Sequence, residues 1–255
     1  MNRLETIQTC NRLLLDDMPQ YRQQAQAFPN DEANQRRLLR SLMNVRAPGR
    51  LHAEYLRLQD ALLSEERERK GVVHVADLPT VPRHDRIALW QGDITRLDAD
   101  AIVNAANSQL LGCFCPCHGC IDNAIHSAAG SQLREECSQI MQAQGREEPT
   151  GRAKLTAAYN LPAKHVLHTV GPIVSGRVTR EDRCLLASCY RSCLELAAEN
   201  GLHSVAFCCI STGEFHFPNA EAARIAVGTV TAFLDHDQTI GQVIFNVFKD
   251  EDAQI

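Results

Sequence analysis

Hydrophobic spacing divides the chain near residue 75. Before it, leucines recur every three or four positions in NRLLLDDM, RRLLRSLMNV and LHAEYLRLQDALLSEERERKG, and the last run puts Leu51, Tyr55, Leu58 and Leu62 on one stripe. Pro29 and Pro48-Gly49 separate the helices, and Gly71 after Lys70 stops the last one. None of these helices carries a candidate catalytic residue; they are expected to pack on the rest of the chain or on a partner. GVVHVADLPTVPRHD reads as a connector with a short edge strand, punctuated by Pro79 and Pro82. The expected division is a helical extension over residues 1–75 and a main domain over 76–255.

From Arg86 the period changes. RIALW reads as a strand ending in GDIT, and DADAIVNAAN as a second with Ala101, Ile102 and Val103 as its buried run. IDNAIHSAAGSQLREECSQIMQAQ reads as two helical pieces broken at Gly130. AKLTAAYN and KHVLHTV read as strands, the second ending at Gly171-Pro172. EDRCLLASCYRSCLELAAENG is the clearest helix, with Leu185, Cys189, Cys193 and Leu196 at helical spacing and Gly201 at its C-terminal cap. That spacing makes Cys189 and Cys193 core residues. SVAFCCIS is a strand, NAEAARIAVGTVTAFLDH a helix and QVIFNVF the last strand.

Alternating strands and helices predict an α/β fold: a mostly parallel sheet covered by helices on both faces. Ligands of such sheets bind at the carboxyl ends of the strands. Gly92-Asp93, the stretch from Asn104, Gly171-Pro172 and Ser211 to Phe217 all fall there.

The 255 residues are 44% hydrophobic and 22% charged, as in ordinary globular proteins, and the net charge of -5 argues against a nucleic-acid footprint. No apolar run approaches the roughly 20 residues of a membrane span, and MNRLETIQTCNRLLLDDM lacks the apolar core of a signal peptide. A cytoplasmic monomer without a membrane partner is the expectation. The 11 cysteines are odd in number and scattered, unlike a secreted disulfide framework, so their thiols stay available for metal.

Four cysteines and a histidine crowd into the run from Cys113 to Cys120. A loop this short cannot bury four thiols as core. Cys113, His118 and Cys120 are the best ligand set for a borderline-soft ion such as zinc. Buried thiols or a disulfide are the alternative. Three protein ligands leave a position for water or substrate, whereas a fourth closes the site and makes it structural. Adjacent Cys117 and His118 bind one ion only with a strained backbone; Cys115 is spaced more permissively.

STGEFHF and the cysteine loop are small-residue turns between strand and helix, which aim backbone N–H groups at a phosphate or diphosphate. GxxxxGK[ST] and GxGxxG are both missing, which argues against a nucleoside triphosphatase and a standard dinucleotide fold. Asp93 suits the amino group of a base or a turn. Asn104 and Asn107 suit sugar hydroxyls or backbone caps. Asp122, just past the loop, suits water activation near a metal, a sugar hydroxyl or a helix cap, and His126 shares its helix face.

GDIT, AIVNAAN, LLG, IDNAIH, HTVGP and STGEFHFP, in this order over about residues 86–248, resemble the macrodomain family of ADP-ribose binders. Within it the chain looks like the MacroD-type branch, which hydrolyses mono-ADP-ribose from modified side chains. It departs where GCFCPCHGC replaces a glycine-rich run. With the N-terminal helical extension, that replacement is similar to the zinc-dependent microbial macrodomains, whose zinc sits beside the distal ribose. The resemblance implies a three-layer α/β/α macrodomain with a mixed, mostly parallel sheet. It implies that Asp93 and Ile94 meet adenine, that Asn104 and Asn107 hold the distal ribose, and that Gly112 and Ile121 line the diphosphate path. Ser211, Thr212, Gly213, Glu214 and Phe215 would wrap the phosphates and ribose, and Asn246 would sit near adenine. Asp122 matches the aspartate assigned to water activation or ribose orientation, and with Asn107 makes the candidate catalytic pair. Cys113, His118 and Cys120 would bind Zn2+. The implied reaction is hydrolysis of the ester between ADP-ribose and an Asp or Glu side chain of a mono-ADP-ribosylated protein. A non-cleaving ADP-ribose reader with structural zinc, an O-acetyl-ADP-ribose deacetylase and a zinc-stabilised scaffold are the alternatives.

Overall fold

The structure, a computed structural model, describes residues 1–255. Helices α1 (Arg3–Asp17), α2 (Arg22–Ala25), α3 (Glu32–Val45) and α4 (Ala53–Lys70) form the N-terminal segment. Asn2 and Glu5 close a capping box on α1, and Asp31 accepts the Asn34 N–H at the start of α3. Gly71 ends α4 at φ 76°, with Arg67, Arg69 and Lys70 facing the negative end of its dipole. Ile7, Leu14, Leu39, Leu42, Tyr55, Leu58 and Leu62 meet in an apolar cluster of 13 buried residues.

The strands are β1 (Thr80–Val81), β2 (His84–Gln91), β3 (Ala101–Ala106), β4 (Ala153–Ala157), β5 (His165–Val170), β6 (Ser204–Phe207) and β7 (Gln242–Val247). The helices between and after them are α5 (Ile121–Ala129), α6 (Ser131–Gln144), α7 (Arg180–Glu199), α8 (Asn219–Leu234) and α9 (Asp250–Gln254). One sheet runs in the order β1-β2-β7-β6-β3-β5-β4. Only β1 and β4, at the two edges, are antiparallel to their neighbours. β3 is buried almost throughout, as befits a strand covered by helices on both faces. A second cluster, of 42 buried residues, fills this part of the chain. The two clusters part between Leu63 and Val75.

Polar contacts join the two parts. Arg46 meets Glu135 at 2.8 Å, Gln59 donates to Gln132 at 2.7 Å and Asn160 donates to Asp60 at 2.8 Å. No helix is long and apolar enough to cross a membrane.

Two local expectations shift. SVAFCCIS is a strand only to Phe207, because the chain then turns: the Cys209 carbonyl accepts both N–H and hydroxyl of Thr212. The buried stripe of α7 runs through Leu186, Cys189, Tyr190, Cys193, Leu194 and Ala197, so Leu185 and Leu196 flank it half-buried. Cys189 and Cys193 are fully buried core residues.

Candidate active site

β3 delivers the chain to the loop of residues 107–120, and Cys120 caps α5 by accepting the Asn123 N–H at 3.4 Å. The ligating atoms of Cys113, His118 and Cys120 lie within 4.8 Å of one another. His118 Nδ1 is buried without a hydrogen-bond partner, and Nε2 faces Glu214 Oε1 at 3.7 Å. Burial pushes the Cys120 thiol up to about 12, and the neighbouring Cys113 adds to the rise. Two crowded thiols and an unpaired imidazole nitrogen are a donor set that fits a borderline-soft cation with a fourth position open. Cys115 is exposed. Cys117 turns away, its thiol 3.4 Å from the Ser41 hydroxyl.

Asp122, in the first turn of α5, is buried, and burial raises its carboxyl to about 6. Asn104, fully buried on β3, donates to Asp122 Oδ1 at 2.8 Å and to His168 Nδ1 at 3.2 Å. Asn104 Oδ1 is left unpaired. Asn107 donates to the Gly112 carbonyl at 3.2 Å and accepts the Gln109 N–H. Gly112 has φ 80° and packs on the His126 ring, where a Cβ would come within 2.9 Å of Cγ. Ile121, the first residue of α5, is half-buried.

Gly171, just past β5, lies so close to Ser211 and Ile210 that a Cβ there would require the Ser211 hydroxyl to shift. Ser211 itself stands at φ 66°, with its hydroxyl buried and unpaired. The 211–217 turn closes by Phe217 N–H to Ser211 O and His216 N–H to Gly213 O, and Phe215 O accepts from Val174. Thr212, Gly213 and Glu214 form its crest.

Asp93 accepts the N–H and hydroxyl of Thr95, and Lys70 of α4 approaches its other oxygen at 3.5 Å. Ile94 is buried. Asn246, buried on β7, donates to the Gly92 carbonyl at 2.9 Å and so braces the backbone before Asp93.

Residues 103–226 match the Macro domain family. A protein-ADP-ribose hydrolase of Treponema medium is 54% identical over 244 residues, 95% of this chain and 93% of the relative. The chain belongs to the macrodomain family. A protein-ADP-ribose hydrolase of Staphylococcus aureus is 51% identical over 86% of this macrodomain and 82% of its own length. The Trypanosoma brucei macrodomain in complex with ADP-ribose superposes with a TM-score of 0.65 at 35% identity, over 84% of this chain and 92% of that one.

Sequence reasoning missed the polar groups that hold this macrodomain's loop, Arg40, Asn44, Asn123 and Arg134, and also His168 beneath Asn104. The one readable signal was a histidine inside the apolar strand HVLHTV. His168 accepts from Asn104 at Nδ1, so Nε2–H donates to the Thr156 hydroxyl at 2.9 Å. His126, Cys137 and His168 also bring ligating atoms within 4.8 Å, but both His168 nitrogens are engaged and all three side chains are core.

Burial lowers His168 to about 3 and His126 well below its ordinary value. His168 therefore stays neutral when folded down to about pH 3, whereas an unfolded histidine protonates below about pH 6.5. Above that pH neither state gains a proton. Below it the unfolded state takes up protons the folded state refuses, so stability falls as pH drops from 6.5 towards 3. At pH 5 His168 is expected to cost about 2 kcal/mol relative to pH 7, and His126 adds to the loss in the same direction. Thermal unfolding of chelator-treated protein at the two pH values reads this; in His168→Gln the loss should shrink by about 2 kcal/mol. An unchanged loss in that variant would count against the neutral buried ring.

Proposed function

We propose that this macrodomain hydrolyses the ester between ADP-ribose and an acidic side chain of a mono-ADP-ribosylated protein, with a zinc ion held by Cys113, His118 and Cys120. The observation that carries this reading is the convergence of those three ligating atoms, within 4.8 Å, at the N-terminus of the helix that carries Asp122. The names of the relatives supply the substrate class. Residues 1–75 act as a helical extension of the catalytic part, residues 76–255.

Zinc held by Cys113, His118 and Cys120 would supply a Lewis acid able to polarise a ribose oxygen or lower the pKa of a water. Asp122 positions the attacking water and takes up its proton, while Asn104 fixes the carboxylate. Water adds across the ester; the ribose recovers its hydroxyl and the side chain leaves as a carboxylate. Asn107 holds the distal ribose, and Gly112 and Ile121 line the path of the diphosphate. Ser211, Gly213 and Phe215 offer backbone N–H groups to the phosphates, and Thr212 lines the same turn. Glu214 orients the His118 ring. Asp93 and Ile94 receive adenine over the backbone that Asn246 braces. With Cys115 and Cys117 outside the group, the fourth position stays open, which favours a hydrolase over a reader with a closed zinc site.

The deciding experiment is release of ADP-ribose from an aspartate- or glutamate-modified protein by zinc-loaded and chelator-stripped enzyme. Release that vanishes with zinc and returns with it supports the reading; tight ADP-ribose binding without release in either state makes the chain a reader. Asp122→Ala is expected to lower kcat by about 100-fold while ADP-ribose affinity changes only a few-fold. Equal losses in both would give Asp122 a binding role alone.

A further inference from the structure

The cysteine loop does little to hold its own shape. Within residues 107–120, two backbone bonds form: Leu110 N–H to Asn107 O at 3.0 Å and His118 N–H to Cys115 O at 3.2 Å. Cys117 stands in the left-handed region at φ 53°, which costs a non-glycine residue on the order of 1 kcal/mol or more. Something outside the loop must hold it.

That support comes from α3. Asn44, buried to 2% exposure, accepts the Cys117 N–H at 2.8 Å and donates to the Ser127 hydroxyl at 3.0 Å. Arg40, one turn earlier, donates to the His118 carbonyl at 3.4 Å and to Asn123 Oδ1 at 2.8 Å. Asn123 in turn donates to the Cys115 carbonyl at 3.0 Å. The backbone on both sides of His118 is therefore tied, directly or through Asn123, to two side chains of the helical extension. The extension has its own apolar cluster, so α3 is a rigid platform.

We infer that Arg40 and Asn44 are positioning residues of the metal group: α3 holds the loop in the one conformation where Cys113, His118 and Cys120 converge. This rests on the zinc reading above. Freed from α3, the loop must be ordered by the metal itself, and affinity falls accordingly. Removing partners that orient metal ligands typically costs about 10- to 100-fold in affinity.

The test measures zinc affinity by competition with a chromophoric chelator, the thiolate-to-cobalt absorption of the Co(II)-loaded full chain, and the melting temperature. Arg40→Ala and Asn44→Ala are compared with wild type and with Arg22→Ala, which removes an exposed pair with Asp16 on the extension. The expected result is zinc binding about 10- to 100-fold weaker and an altered cobalt spectrum in the first two, with Arg22→Ala like wild type. Should Asn44→Ala fail to fold, the half-buried Arg40→Ala decides. Folded variants with wild-type zinc affinity overturn the inference, as does an equal loss in Arg22→Ala, and both leave the zinc reading standing. A wild-type chain that takes up no zinc overturns the two together.

Discussion

Cys120→Ser is expected to abolish zinc binding and hydrolysis together while leaving the fold in place. The substitution separates two duties of one atom. Cys120 Sγ is a ligand candidate, and it also caps α5 by accepting the Asn123 N–H at 3.4 Å. Serine is among the preferred residues at that cap, so α5 and Asp122 keep their places. As a ligand it fails, because a neutral hydroxyl does not replace a thiolate, and Cys113 and His118 alone hold the ion poorly. Losing a Lewis acid that is worth several kcal/mol corresponds to a fall in kcat of about 1,000-fold or more. The melting temperature of the stripped protein and ADP-ribose affinity should stay near wild type. Zinc per chain, ADP-ribose release and ADP-ribose binding are read on the same preparation. A zinc-free variant with full turnover would sink the catalytic metal.

Much of the fold is legible because it is periodic. Gly130 splits α5 from α6 and Gly71 ends α4 for the same reason: each accepts a backbone conformation with positive φ that stops a helix. What period cannot carry is length and phase. Cys208 and Cys209 have the hydrophobicity of a strand, yet Thr212 draws the Cys209 carbonyl into a turn. On α7, adjacent Leu185 and Leu186 satisfy the same spacing, and only packing against the sheet selects Leu186. Nor does period give strand direction, which is why β4 becomes an antiparallel edge on tertiary grounds alone.

The site is legible where its chemistry is local in sequence. Cys113, His118 and Cys120 could be singled out as candidate ligands because they lie within one short loop, and the structure brings their ligating atoms together. Whether Cys115 or Cys117 joins them could not be read, since it depends on which way each thiol turns: Cys117 is drawn to Ser41 of α3, 76 residues away. Asp122 fitted three roles equally well from sequence. The structure gives the helix cap to Cys120 and buries Asp122 against Asn104. The supports of the loop left no trace, because a hydrogen bond between positions 40 and 123 obeys no spacing rule.

Arg134→Met is expected to be the most destabilising single change around the site. Arg134 is 5% exposed on α6, and its guanidinium donates to four backbone carbonyls: Leu111 at 2.6 Å, Met43 and Asn44 at 2.9 Å each, and Arg46 at 2.6 Å. Met43 and Asn44 belong to the last turn of α3, so the cation also faces the negative end of that helix. One side chain thus joins α6, the end of α3 and the root of the cysteine loop, and Phe114 lies on its guanidinium at 4.4 Å. Methionine keeps much of the apolar stem but leaves those acceptors buried and unpaired. Each unpaired buried acceptor costs about 1–3 kcal/mol, and partial rehydration keeps the sum below full additivity. A loss of about 3–5 kcal/mol, or roughly 10 °C in melting temperature, is expected. Zinc affinity should fall with it, because Leu111 stands two residues before Cys113. Denaturant and thermal unfolding of the two proteins measure the first effect, and chelator competition the second. A variant within about 1 kcal/mol of wild type would mean that water replaces the guanidinium and that the seam between extension and sheet is wet.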